Sequence, residues 1–77
     1  MEEQIKDIMS ELFRIDKAKI ADETSNHAVE AWDSLKHMEL IVSLEDTFEI
    51  TLTADEIVSM TTYAKIRRVV QEKKNGS

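Results

Sequence analysis

Between Asp33 and Phe48 the apolar residues return every three or four positions, and the whole chain lacks proline, which restricts this stretch to an amphipathic helix. Asp33 has the short carboxylate expected of an N-cap, and Ser34 takes the first helical position. At about 100° per residue, Leu40, Ile41, Leu44 and Phe48 gather on one face with the spacing of a core stripe. Leu35, Met38 and Val42 form a second set well round the cylinder. A core built from 77 residues is too small to bury both sets fully. Glu39, Glu45, Asp46 and Glu49 flank the second set, and apolar residues framed by carboxylates predict a docking face. The competing reading packs Leu35, Met38 and Val42 beneath a neighbouring loop.

The same periodicity orders the rest of the chain. Ile5, Ile8, Met9, Leu12 and Phe13 predict a first helix over 2–13, with Glu2 and Glu3 at its positive end and Arg14 near its negative end. From Ile15 to Ala31 the period fails. This long connection is rich in Asp, Thr, Ser and Asn, with Ile20 and Val29 as its anchors into the core. Connections of that length are usually functional or ordered by their own side chains. After Phe48, Ile50-Thr51-Leu52 alternates as an extended link, and Thr53-Ala54-Asp55-Glu56 has the form of a capping box. Ile57 and Met60 give the short third helix its inner face, and so short a helix leans on packing and is the element freest to move. Thr61 and Thr62 offer a cap to a fourth helix, whose Ile66, Val69 and Val70 face inward and which frays from Lys73 to Ser77. The expected fold is all-α, a four-helix up-and-down bundle in one domain over 1–77, with a long loop between helices 1 and 2 and a short helix 3.

Composition narrows the partners. Sixteen acidic residues against ten basic give a net charge of −6, which opposes a nucleic-acid backbone and favours a basic protein surface. Up to Leu52 there are thirteen acids and five bases, and from Thr53 onward three acids and five bases. Lys65, Arg67, Arg68, Lys73 and Lys74 read as a solvated face that also suits a helix C-terminus. With no cysteine there is neither a disulfide framework nor a cysteine zinc site, and any thioester chemistry would need sulfur from a prosthetic group. No leader and no membrane-length apolar run is recognisable, so the expected location is the cytoplasm and the expected state a monomer. Asn75-Gly76-Ser77 then matches a glycosylation sequon by coincidence.

Asp33-Ser34-Leu35 opening a helix that runs through Met38-Glu39-Leu40 to Leu44-Glu45-Asp46-Thr47-Phe48 resembles the attachment site and second helix of acyl carrier proteins. The likeness extends over nearly the whole chain. It implies that a phosphopantetheinyl transferase attaches 4′-phosphopantetheine to Ser34, with Asp33 and Leu35 flanking the group, and that the arm holds an acyl or aminoacyl thioester. It further implies a chain that catalyses nothing itself, enzyme partners with basic docking patches, and an acyl cavity lined by Leu40, Ile41, Leu44, Ile57 and Met60. A serine at a helix start also suits a phosphodiester on electrostatic grounds, although the bland reading leaves Ser34 as a tolerated first-turn residue. Ala31-Trp32, Glu49 and Thr53 stand where the housekeeping fatty-acid carriers commonly have other residues, which points to a specialised member. A D-alanyl or other aminoacyl carrier shares the pattern, and a plain helical interaction module is the remaining alternative.

Two other chemistries can be read into the residues. Ser34, His37 and Asp33 are the residue types of a hydrolytic triad, but the chain lacks a nucleophile elbow, and a histidine on the core side of its helix more often packs or hydrogen-bonds. Asp22, Thr24, Asn26 and Asp33 fall in an EF-hand-like register, yet His27 stands where the tight turn calls for glycine, so a solvated polar loop is the better account and no metal is expected.

Overall fold

The computed structural model describes residues 1–76 as four α-helices: α1 (Glu2–Phe13), α2 (Ser34–Phe48), α3 (Ala54–Ser59) and α4 (Tyr63–Gly76). A single 3₁₀ turn, Lys17–Lys19, interrupts the long loop, its start capped by Asp16 Oδ1 accepting from the Ala18 N–H at 3.0 Å. α1 packs chiefly on α2, and α4 closes against α2. The buried stripes are Ile5, Met9 and Phe13 on α1, Leu40, Ile41, Leu44 and Phe48 on α2, and Tyr63, Ile66 and Val70 on α4. Ile20, Trp32, Leu52 and Met60 complete the core from the connections. The expected helical bundle is therefore the observed one, and Ile20 and the half-buried Val29 anchor the loop as the pattern suggests.

α1 and α2 end alike. Arg14 (φ 56°) and Glu49 (φ 54°) adopt the left-handed conformation, and each returns its N–H to a carbonyl four residues back, on Ser10 and Glu45 respectively. This conformation disfavours a side chain bearing a Cβ, which is the physical reason glycine would suit position 49. The orphan donors of α4 are met differently. The Tyr63 N–H donates to the Thr24 carbonyl at 2.9 Å, and the Ala64 N–H to the Asp22 carbonyl at 3.1 Å. Thr62 Oγ1 accepts from the Lys65 N–H at 3.2 Å. The long loop thus shares the capping of α4 with Thr62, and an antiparallel bridge, Ser25 to Thr62, lies beside it.

α3 carries no fully buried side chain of its own. Its capping box is complete: Thr53 Oγ1 accepts from the Glu56 N–H at 3.2 Å, and Glu56 Oε1 accepts from the Thr53 N–H at 2.8 Å. Glu56 also meets Lys73 Nζ at 2.9 Å, which ties α3 to α4. α4 continues past Lys73 through Gly76. Lys73 is held by Glu56, and Lys74 Nζ donates to the Phe48 carbonyl at 3.3 Å. Ser77 lies outside the described residues.

Two carboxylates have lowered pKa values. The Arg67 guanidinium, 2.8 Å from Asp22, holds that carboxyl below its ordinary value, and the Thr53 N–H, then Lys73, does so for Glu56. A carboxylate depressed in the folded state contributes stability that is complete above its unfolded pKa and is lost as pH falls through the folded value. The Asp22→Asn variant should accordingly melt below the wild type at neutral pH, with the gap closing as acid protonates Asp22. Calorimetric scans across an acid series check the sign. Thr53→Ala should remove about 1 kcal/mol of stability by urea denaturation, the usual magnitude for an N-cap threonine.

Candidate functional site

The start of α2 is set by its cap. Asp33 is extended (φ −99°, ψ −174°), its Oδ1 accepts from the Lys36 N–H at 2.9 Å, and its carbonyl accepts from the His37 N–H at 2.8 Å. Ser34 and Leu35 follow as exposed first-turn residues. Amides of that turn have no intrahelical partner and face the side on which the serine stands. Ser34 borders a cleft of about 510 Å³, with Trp32, Asp33, His37 and Met38 on one side and Asn26, Ile57, Val58 and Thr61 on the other.

His37 occupies the inner wall of this cleft. Trp32 Nε1 can only donate, and it reaches His37 Nδ1 at 2.9 Å, so the imidazole proton must sit on Nε2. From there it donates to the Ile57 carbonyl at 2.8 Å. The indole is 3% exposed and stacks on Phe13, with ring centroids 4.8 Å apart and planes inclined by 20°. One imidazole thereby links the end of the loop, α2 and α3, while Trp32 extends the link to α1. With both ring nitrogens engaged and the Asp33 carboxylate on the Lys36 amide, Ser34, His37 and Asp33 form no proton relay.

Leu35, Met38 and Val42 stand 71%, 50% and 61% exposed, so they do not pack under the loop. They line a shallow depression of about 360 Å³ together with Glu39 and Ser43. Val58 on α3, 75% exposed, continues the apolar surface across the cleft. Sequence reasoning missed it, although its place directly after the half-buried Ile57 puts it outside the inward phase. The four carboxylates differ in their freedom. Asp46 and Glu49 are exposed, whereas Glu39 lies 3.5 Å from Lys36 Nζ. Glu45 is half-buried and its Oε2 accepts from the Leu52 N–H at 3.0 Å, holding the α2–α3 connection rather than facing outward with the others. Of the residues expected around an acyl cavity, Ile57 borders the cleft. Leu40, Ile41, Leu44 and Met60 are at most 2% exposed and belong to the packed core.

The loop residues of the EF-hand-like register do not converge. Asp22 pairs with Arg67, Thr24 Oγ1 accepts from the Ala21 N–H at 2.9 Å, and Asp33 caps α2. Among the described residues no three carboxylate or imidazole groups come together as a metal site would require.

A small helical bundle that presents an exposed serine at a capped helix start, beside a cleft and an apolar face, has the build of a carrier that is modified rather than of an enzyme. Residues 3–71 match the family model for the phosphopantetheine attachment site, and the chain belongs to that family. The fold is similar to the solution structure of the holo acyl carrier protein from Geobacter metallireducens. The TM-score is 0.85 at 31% identity, over 97% of this chain and 86% of that one. The protein is thus a carrier protein whose cofactor is covalently attached 4′-phosphopantetheine, and its role requires a modifying transferase and the biosynthetic enzymes it serves.

The residues beside Ser34 fit that group. Asn26 Oδ1 is buried and lacks a hydrogen-bond partner, and its residue lines the cleft, where an amide N–H of a pantetheine arm would offer it a donor. The Asn26 backbone is held in place by its N–H donating to the Thr61 carbonyl at 3.1 Å. When bound, the group supplies the thiol that this cysteine-free chain lacks.

In His37→Ala the Trp32 indole N–H loses its acceptor, so its proton should exchange with solvent faster than in the wild type, as read in NMR spectra.

Proposed function

We propose that Ser34 is the residue that bears 4′-phosphopantetheine, and that the chain carries acyl groups as thioesters between enzymes of fatty-acid, lipid or polyketide-type biosynthesis in the cytoplasm, as a monomer. The observation that carries this reading is the exposed Ser34 at the first position of the Asp33-capped α2, bordering the cleft, within the matched family region. A phosphodiester at a helix N-terminus gains about 0.3–1 kcal/mol from the helix dipole. Asp33 fixes the turn by occupying the Lys36 amide and leaves the amides before it available. The arm is flexible, but its root is not.

Leu35, Met38 and Val42, with Val58 beside them, form the surface on which we place the partner enzymes, and Glu39, Asp46 and Glu49 give it negative charge. Such a face suits partners with basic patches, because charge speeds encounter and a few apolar contacts set the pose. An aminoacyl group is the second reading of the cargo, favoured by the polar wall that Asn26 and Thr61 give the cleft.

Incubation with coenzyme A and a broad-specificity phosphopantetheinyl transferase should add one phosphopantetheinyl group by mass spectrometry, and Ser34→Ala should remain unmodified. A wild-type chain left unmodified would overturn the assignment. Met38→Ala and Glu39→Lys should each lower a partner's kcat/KM by about threefold to tenfold (about 0.7–1.4 kcal/mol). Both residues lie on the exposed face and outside the core, so folding stability should change by no more than about 0.5 kcal/mol.

A further inference from the structure

Helix geometry puts His37 between Ser34 and the core. Positions three and four apart are neighbours on a helix, so Ser34 meets His37 and the half-exposed Met38, and of the two His37 lies on the side of the buried Leu40, Ile41 and Leu44. His37 Nε2 donates to the Ile57 carbonyl at 2.8 Å, and Trp32 Nε1 donates to His37 Nδ1 at 2.9 Å. The indole cannot swing aside without also leaving Phe13, on which it stacks at 4.8 Å. The cleft of about 510 Å³ is lined by Ser34, Trp32, His37 and Ile57, while Leu40 and Met60, both 0% exposed, are not part of its lining.

We propose that Trp32 and His37 limit the length of the cargo: hydrogen-bonded to one another and to Ile57, they bar the way from the cleft to the core, so the protein carries short acyl groups in the outer cleft and excludes longer alkyl chains from its interior. The inference rests on the carrier reading of Ser34 and specifies its substrate class. A short group lies against Met38, Ile57, Val58 and the polar Asn26 and Thr61 without disturbing a bond of the fold. A longer chain has two alternatives. It remains in water with its alkyl surface unburied, or it opens the bar and leaves the indole N–H and the Ile57 carbonyl without their imidazole partner in a partly buried place. His37 and Trp32 act here as specificity-determining residues and take part in no bond making.

The test uses full-length protein loaded by a phosphopantetheinyl transferase from butyryl- and octanoyl-coenzyme A, with loading verified by mass spectrometry. Methyl NMR spectra then report where the chain lies. In the wild type, exchanging butyryl for octanoyl should leave the Leu40, Leu44 and Met60 methyl shifts unchanged. In His37→Ala, and in Trp32→Phe, which keeps an aromatic ring in place of the indole but removes its N–H donor, octanoyl should shift those methyls. In both variants hydrolysis of the octanoyl thioester should also be several-fold slower than in the octanoyl wild type. Octanoyl-induced core shifts in the wild type equal to those in the variants would overturn the proposal, as would unshifted core methyls in both folded variants. Failure to load at all would show in the mass spectrum before any NMR comparison, and would overturn the carrier reading together with the length limit built on it.

Discussion

An indole nitrogen only donates, and a neutral imidazole donates from one nitrogen and accepts at the other, so the chain Trp32 to His37 to Ile57 has a single direction. The geometry around Ser34 depends on it. Trp32 and Ser34 flank Asp33, which is held from one side by the indole packed on Phe13 and from the other by its own bond to the Lys36 amide. α3 has no fully buried side chain and would otherwise rest on its capping box and on Glu56 with Lys73. The Ile57 carbonyl gives it a tie to α2 beside the site. A carrier needs a flexible arm on a rigid root, and on the proposed reading of Ser34 these bonds would provide the root.

The long loop has the complementary task. Its carbonyls at Asp22 and Thr24 accept from the first two amides of α4, beside the side-chain cap that Thr62 gives the Lys65 amide. Its polar composition then follows from its own turns. Asp16 caps the 3₁₀ turn, Thr24 folds back on the Ala21 amide, and Asp22 meets the Arg67 guanidinium, which also lies 3.7 Å from Glu2. The Asp22 carboxylate that resembled a calcium ligand in the sequence is instead one end of a tie from the loop to α4.

What could be read from the sequence was whatever a local period or cap signature encodes: the extent of α1 and α2, the core stripe of α2, the Thr53 to Glu56 box, and the two-sided character of α2. What could not be read depends on pairing across elements. Trp32 is 3% exposed because Phe13 and His37 receive it, and nothing in its immediate neighbours signals that. Glu45 sits at the edge of the outward face, where the helical period leaves its direction open, and the Leu52 amide decides it. Likewise the partners of Lys73 and Lys74, Glu56 and the Phe48 carbonyl, come from α3 and α2, where no local pattern points to them.

The same pairing alters how charge acts on the proposed docking face. Glu45 is committed to the α2–α3 connection and Glu39 is partly neutralised by Lys36, so the exposed carboxylates without such a tie in this set, Asp46 and Glu49, lie at the far end of α2 from Ser34. Charge some distance from the reacting centre steers encounter and loses strength with salt, whereas desolvated apolar contacts govern how long a complex lasts. Leu35 and Met38, with Val58 of α3 beside them, lie near the serine end, where a partner would hold the root of an arm on Ser34 under the proposed reading. Rate of arrival and residence would then fall to opposite ends of α2, so either could vary without disturbing the Trp32, His37 and Ile57 bonds near Ser34.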